Sequence, residues 1–361
     1  MTYENPNLIL PTTFDKSETI TCKSPSNIAI VKYWGKFGRQ LPRNPSISLT
    51  LENAFTKTAL TYFPKEKADK SISLNFRFEG KENEAFRSKM VNFLESITDI
   101  FPFLYQLHFE INSMNSFPHS SGIASSASSM SALAMCLCEL ENRLFGTLSD
   151  KNKRVQKASF VARLGSGSAC RSLYPVAGMW GELATEKTTS NLYAIPFAER
   201  LHDVFHSFHD DILIVSKGEK AVSSRAGHAL MEGNIYAQNR YEQARNRTQD
   251  LIQAFEKGDV EHFGKIAEND ALTLHALMMC SEPSYMLMRP NSLLMIEKVR
   301  EFRHETKLPL YFTLDAGPNL HLLYPDEFVE PIQGFIKSDL VPLCQDEMWI
   351  ADKVGQGTVI I

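Results

Sequence analysis

No apolar run in this chain approaches the roughly 20 residues that a membrane-spanning helix needs, so no membrane association is expected. An excess of positive charge is also missing. Lys and Arg number 38 against 42 Asp and Glu, a formal net charge of -4, whereas nucleic-acid binders carry a basic face that neutralises phosphates. Cysteines are few and scattered, at positions 22, 136, 138, 170, 280 and 344, without a C-x-x-C pair. Cys136 and Cys138 share one helix but point to different faces, so they cannot jointly grip a metal, and buried reduced thiols are expected. The 10 histidines form no H-E-x-x-H pattern, which leaves no sign of a metal held by a protein cage. Residues 1–15 are polar and contain proline, without the apolar core of a signal peptide, so a soluble, cytoplasmic protein is expected.

What is present is enough chain, 361 residues, to bury a large core in one domain or two. The pattern becomes irregular near 191–209, which puts a boundary near residue 200 and divides the chain into 1–200 and 201–361.

The stretch 116–127 organises the first of these. Leu107, Phe109 and Ile111 alternate with polar residues, the period of a half-buried strand. Ile123, Ala127, Met130, Ala134, Leu137 and Leu144 recur at helical spacing, with Gly146 as a stop. Between them Ser120, Ser121, Gly122, Ala124, Ser125 and Ser126 form a turn of small residues that opens the helix. The first N–H groups of a helix have no partner within it and the dipole is positive there, which suits an anion, most often a phosphate. A Ser-rich helix cap that binds nothing is the plainer reading. The stretch fits neither G-x-x-x-x-G-K-[ST] nor a strand-linked G-x-G-x-x-G.

Upstream, Lys32, Lys36, Arg39 and Arg43 fall within twelve residues. Apolar Ile28–Val31 and the rings of Tyr33 and Trp34 put Lys32 on a packed wall rather than a free surface. The alternation from Phe55 to Phe78 reads as an antiparallel meander, and 82–98 as a helix with Phe86, Met90, Phe93, Leu94 and Ile97 inward. A helix over 149–164, capped by Ser149, leads to a second Gly/Ser turn at 165–172. That turn delivers Arg171, whose guanidinium fork suits a carboxylate or phosphate; a flexible loop with a surface arginine is the alternative. Helices follow at about 227–257, 260–280 and 291–304. The apolar strand 308–314 ends at Asp315-Ala316-Gly317-Pro318-Asn319, where the aspartate is either a turn former or a catalytic acid/base. A last strand covers 353–361.

Four of these stretches carry a resemblance. Pro118-x-x-x-Gly122-Ile123-x-Ser125-Ser126-Ala127 resembles the phosphate loop of the GHMP kinase superfamily. Asn27 to Lys36 (N-I-A-x-x-K-Y-W-G-K) with Asn44 to Leu51, Gly165 to Ser172 (G-S-G-S-A-C-R-S) and Asp315 to Asn319 (D-A-G-P-N) resemble, in order, the motifs of the mevalonate diphosphate decarboxylase family within it. The octet at 165–172 is the most specific of them. The resemblance implies an α/β (α+β) GHMP-kinase fold, with a ribosomal-S5-domain-2-like N-terminal ATP-binding domain and a ferredoxin-like C-terminal domain, commonly as a homodimer.

It further implies that ATP phosphorylates the tertiary hydroxyl of mevalonate 5-diphosphate and that loss of this phosphate with CO₂ leaves isopentenyl diphosphate, with Mg²⁺ carried by the ATP phosphates. Family roles transfer residue by residue. Asp315, Lys32 and Arg171 are the catalytic groups, with Arg171 on the substrate carboxylate. Lys32, Tyr33, Trp34 and Gly35, with Ser166, Gly167, Ser168, Ala169, Cys170 and Arg171, bind substrate. Ser120, Ser121, Gly122, Ala124, Ser125 and Ser126 bind ATP. Arg87 or Lys89 would supply a further substrate cation. Pro45 stands where the family has a serine, and Arg225 where relatives often place a hydroxyl. Both keep open a decarboxylase of the monophosphate; a small-molecule kinase of the same fold is the other alternative. A non-catalytic sensor would be expected to have lost Asp315 or a loop serine.

Overall fold

The computed structural model describes residues 3–66, 69–118, 123, 125–218 and 222–361; the sequence-predicted ATP-binding residues Ser120, Ser121, Gly122 and Ala124 lie outside them. Its strands in chain order are β1 (Glu18–Ala29), β2 (Lys36–Phe37), β3 (Leu41–Pro42), β4 (Ser46–Pro64), β5 (Ser73–Phe78), β6 (Lys81–Glu82), β7 (Leu107–Asn115), β8 (Ala177–Trp180), β9 (Ile195–Pro196), β10 (His209–Leu213), β11 (Tyr311–Leu314), β12 (Leu320–Tyr324), β13 (Trp349–Ile350) and β14 (Val359–Ile360). Its helices are α1 (Glu84–Glu95), α2 (Ser125–Phe145), α3 (Lys151–Gly165), α4 (Ser224–Ala229), α5 (Ala237–Lys257), α6 (Val260–Met279), α7 (Pro290–Thr306) and α8 (Val329–Phe335).

An 8-stranded mixed sheet runs β14-β1-β4-β7-β5-β6, with β8 paired to β4 and β9 paired to β8. A 4-stranded antiparallel sheet, β11-β12-β10-β13, belongs to the second half. The chain's end returns to the first sheet, where Cys22 faces Ile360. Helix α2 packs on β1 and β4 on one side and on α3 on the other, so residues 131–140 are buried around the whole circumference rather than along one stripe.

Several sequence expectations need correcting. Strand β5 does not continue an antiparallel meander; it lies parallel to β7, because α1 carries the chain across, and parallel neighbours need such a crossover. Asp150, not Ser149, caps α3, its carboxylate accepting the N–H groups of Asn152 and Lys153. The long helix expected over 227–257 is divided: Gly233 takes a positive φ of 84° and Asn234 accepts the Tyr236 N–H, so the chain turns between α4 and α5. Of the strand expected over 353–361, regular pairing among the described residues is limited to β14, with single bridges at Lys353 and Val354. Cys280 is exposed while the other five thiols are buried. Among the described residues, no helix is long and apolar enough to cross a membrane.

Candidate active site

A cleft of about 990 Å³ opens between the two sheets, lined from three directions by segments distant in sequence. The first wall follows β1. Ile28, Ile30 and Val31 are fully buried, and they hold Lys32 so deep that it is 2% exposed. Its ammonium donates to Asp315 Oδ1 at 3.0 Å, across 283 residues of chain. The Lys32 N–H donates to Asp270 Oδ2 at 2.7 Å, and its carbonyl accepts from Arg240 and Asn44, each at 3.1 Å.

The next two rings enclose His228, whose centroid lies 4.4 Å from that of Tyr33 and 4.5 Å from that of Trp34. The Gly35 N–H donates to His228 Nδ1 at 3.0 Å, which puts the imidazole proton on Nε2. Burial, helped by the Lys36 charge, lowers the His228 pKa to about 3, so the ring is neutral. The Tyr33 hydroxyl is buried and finds no hydrogen-bond partner among the described residues, and burial raises its pKa. Gly35 takes a φ of 88° and sits beneath Tyr241; it supports the wall without lining the cleft.

The second wall is the Gly/Ser turn, which folds as a 3₁₀ helix, Gly167–Leu173. Arg171 is therefore not a surface arginine on a flexible loop: it is 2% exposed. Its Nε donates to Ser48 Oγ at 2.9 Å, Nη1 to Ser46 Oγ at 2.6 Å and Nη2 to Asn27 Oδ1 at 3.3 Å. All three acceptors are neutral. Burial disfavours the guanidinium charge, and the Asp315 carboxylate acts on it through space in the opposite sense. Gly167 leaves room for nothing larger, since a Cβ there would lie 2.9 Å from both Trp180 and Tyr33. Ser166, Gly167 and Ser168 line the cleft, whereas Ala169 and Cys170 turn into the core. Burial pushes the Cys170 thiol up to about 12, and it donates to the Gly167 carbonyl.

The helix α2 starts beside this turn. Ser125 and Ser126 line the cleft, and Ser126 Oγ lies 3.3 Å from Ser166 Oγ, so the two Ser-rich segments meet. Ser26 Oγ anchors the loop by donating to the Ile123 carbonyl at 2.6 Å. The third wall holds Asp315 and Ala316 after β11, and Ser223, Ser224 and Arg225 at the start of α4. Of the two cations left open on α1, Lys89 lines the cleft, while Arg87 is turned away to the Leu74 carbonyl and Glu84. Among the described residues no group of three or more His, Cys, Asp or Glu could hold a metal ion.

Sequence reasoning missed Asn27, Asn44, Ser46 and Ser48 as partners of the central cations, and it missed Asp270, Arg240 and His228 altogether. A signal existed for the serines: Ser46 and Ser48 are two apart in a strand and share a face.

Comparison with known proteins gives matches along most of the chain. Residues 24–191 match the family model described as the diphosphomevalonate decarboxylase-like N-terminal domain, and 211–356 that of the mevalonate 5-diphosphate decarboxylase C-terminal domain. The diphosphomevalonate decarboxylase of Debaryomyces hansenii is 30% identical over 88% of this chain and 82% of its own. That of Danio rerio is 30% identical over 90% and 81%. Among solved structures, the complex of MDDEF with MVAPP, AMPPCP and magnesium aligns over 96% of this chain and 99% of its own, with a TM-score of 0.80 and 27% identity. Mevalonate diphosphate decarboxylase from Staphylococcus aureus aligns over 96% and 98%, with a TM-score of 0.80 and 26% identity.

Proposed function

The chain belongs to the diphosphomevalonate decarboxylase family, and from that premise we propose that it converts mevalonate 5-diphosphate to isopentenyl diphosphate in an ATP-dependent decarboxylation that releases ADP, phosphate and CO₂. The observation that carries this reading is the meeting of Lys32 and Asp315 at 3.0 Å in a cleft that also holds the buried Arg171.

The residues present fit the substrate and a polyphosphate. Among the described residues the Arg171 fork has only neutral hydrogen-bond acceptors and the Tyr33 hydroxyl has no hydrogen-bond partner, and α2 begins in the cleft with Ser125 and Ser126. ATP supplies the phosphoryl group that turns a tertiary hydroxyl into a leaving group, with Mg²⁺ on its phosphates. Asp315 orients that hydroxyl and accepts its proton. Lys32 offsets the negative charge that builds on the transferred group, from a site where water cannot screen it. Arg171 holds the carboxylate, so that its electrons enter the carbon from which phosphate departs. Ser166, Ser168, Tyr33 and Lys89 hold the substrate's diphosphate. Ser125 and Ser126 hold the ATP phosphates, together with Ser120, Ser121, Gly122 and Ala124.

A division near residue 200 is part of the same reading, supported by the gap between the two family-model matches, as is a cytoplasmic homodimer, which sedimentation in solution tests. The function itself is tested by supplying mevalonate 5-diphosphate or mevalonate 5-phosphate with ATP and Mg²⁺. Turnover of the diphosphate alone is expected, and turnover of the monophosphate alone overturns the reading.

A further inference from the structure

We propose that α6 is the positioning element of the reacting pair, with Asp270 fixing Lys32 and His275 fixing Asp315 through their main chains; the inference rests on the functional reading above. Neither Asp270 nor His275 lines the cleft. Each instead grips the backbone of one reacting residue. Asp270 Oδ2 accepts the Lys32 N–H at 2.7 Å, and His275 Nε2 donates to the Asp315 carbonyl at 3.1 Å. Because a carbonyl only accepts, the His275 proton sits on Nε2.

Asp270 is itself over-determined. It is fully buried, and Arg240 grips it at 2.7 and 2.9 Å, with Arg247 adding a third contact at 3.0 Å. Burial pushes its carboxyl up, but the arginines and the Lys32 N–H outweigh burial, the net direction is down, and Asp270 is a carboxylate. Arg240 then closes a ring, since its Nη2 also donates to the Lys32 carbonyl. One carboxylate and one guanidinium thus hold both polar groups of a single peptide neighbourhood. Buried ion pairs contribute little net stability compared with apolar packing of the same volume, so stability alone gives no reason for this network. Holding one lysine in one place does.

The helix links the two grips. Asp270 and His275 lie on the same 20-residue helix, which packs directly on β11. Gly264 of α6 lets the Tyr311 ring approach so closely that a Cβ there would fall 2.1 Å from it, and β11 runs on to Asp315. Lys32 comes from the first sheet's side and Asp315 from the second, and α6 ties the two to one frame.

The test uses the full chain with Asp270→Asn, Arg240→Lys and His275→Phe, measured well below each variant's Tm. Displacements of an ångström at a reacting group cost on the order of 100-fold in rate. The expected result is a kcat lower by roughly 10- to 100-fold, with KM for both substrates within about twofold of the unmodified protein. Crystal structures of the variants are expected to show Lys32 Nζ drawn beyond hydrogen-bond reach of Asp315. A lowered Tm with unchanged kcat makes the network a staple of the fold and overturns the inference. So does an unaltered 3.0 Å contact in the variants. Where Asp270→Asn fails to fold, His275→Phe carries the test. If the unmodified protein turns over no mevalonate 5-diphosphate, the functional reading fails by itself, and the crystallographic distance still decides the positioning.

Discussion

The ammonium of Lys32 and the carboxylate of Asp315 share a 3.0 Å hydrogen bond, although one is 2% exposed and the other 27%. The lysine is therefore anchored in the wall, and the aspartate faces both the lysine and the cleft. Substitution of Asp315 by Asn keeps the shape and removes the carboxylate proposed as the base. Steady-state kinetics are expected to show kcat reduced on the order of 10² to 10⁴-fold, the usual contribution of a positioned acid/base group, with KM changed little.

Arg171 makes its three hydrogen bonds through a planar fork, to Ser48, Ser46 and Asn27. A lysine keeps the charge and loses that geometry. For Arg171→Lys the expected loss in kcat/KM is roughly 100-fold, about 2.7 kcal/mol. Ser46→Ala, which removes only one acceptor, is expected to cost less. Equal losses in the two variants would mean that the serine, not the guanidinium, contacts the substrate.

His228 gives a pH prediction of defined sign. Its pKa falls from 6.5 to about 3 on folding, so the unfolded chain binds a proton that the folded chain refuses. Stability from the neutral ring is fully present above about 6.5 and is lost as pH falls toward 3. Burial acts on Asp211 and Asp352 in the opposite sense, raising each to about 6, so their contribution is present below 3.8 and lost as pH rises through 6. Those groups are common to the protein and to His228→Phe, and they cancel in the difference. The Tm advantage of the unmodified protein over His228→Phe is expected to shrink between pH 7 and pH 4.

Gly35 is the fourth test. Its φ of 88° strains any side chain, and a Cβ would sit 2.3 Å from the Tyr241 hydroxyl. Gly35→Ala is expected to lower stability by roughly 1–3 kcal/mol, read by chemical denaturation, and to shift Tyr33 and Trp34 in the cleft.

How much of this was legible in the sequence depends on distance along the chain. Lys32, Arg171 and Asp315 sit in short strings whose residue order is distinctive, and the structure brings all three into one cleft. Their supporting partners come from register. Ser46 faces Trp180 and Ser48 faces Gly178 across the β4–β8 pairing, which brings both hydroxyls to Arg171, more than 120 residues away. The spacing of the two serines announces a shared face, but not the arginine that it meets. Asp270 is a helix residue whose partners lie far off in sequence: Arg240, and the Lys32 peptide 238 residues away. The parallel placement of β5 has the same origin: alternation defines a strand, but only the α1 crossover sets its direction.

The most direct test of the central claim is the stoichiometry of products when the pure protein is given mevalonate 5-diphosphate, ATP and Mg²⁺. A decarboxylase built around Lys32, Asp315 and Arg171 is predicted to release ADP and CO₂ in equal amounts. ADP without CO₂ would contradict the account, leaving a kinase that phosphorylates the hydroxyl and stops.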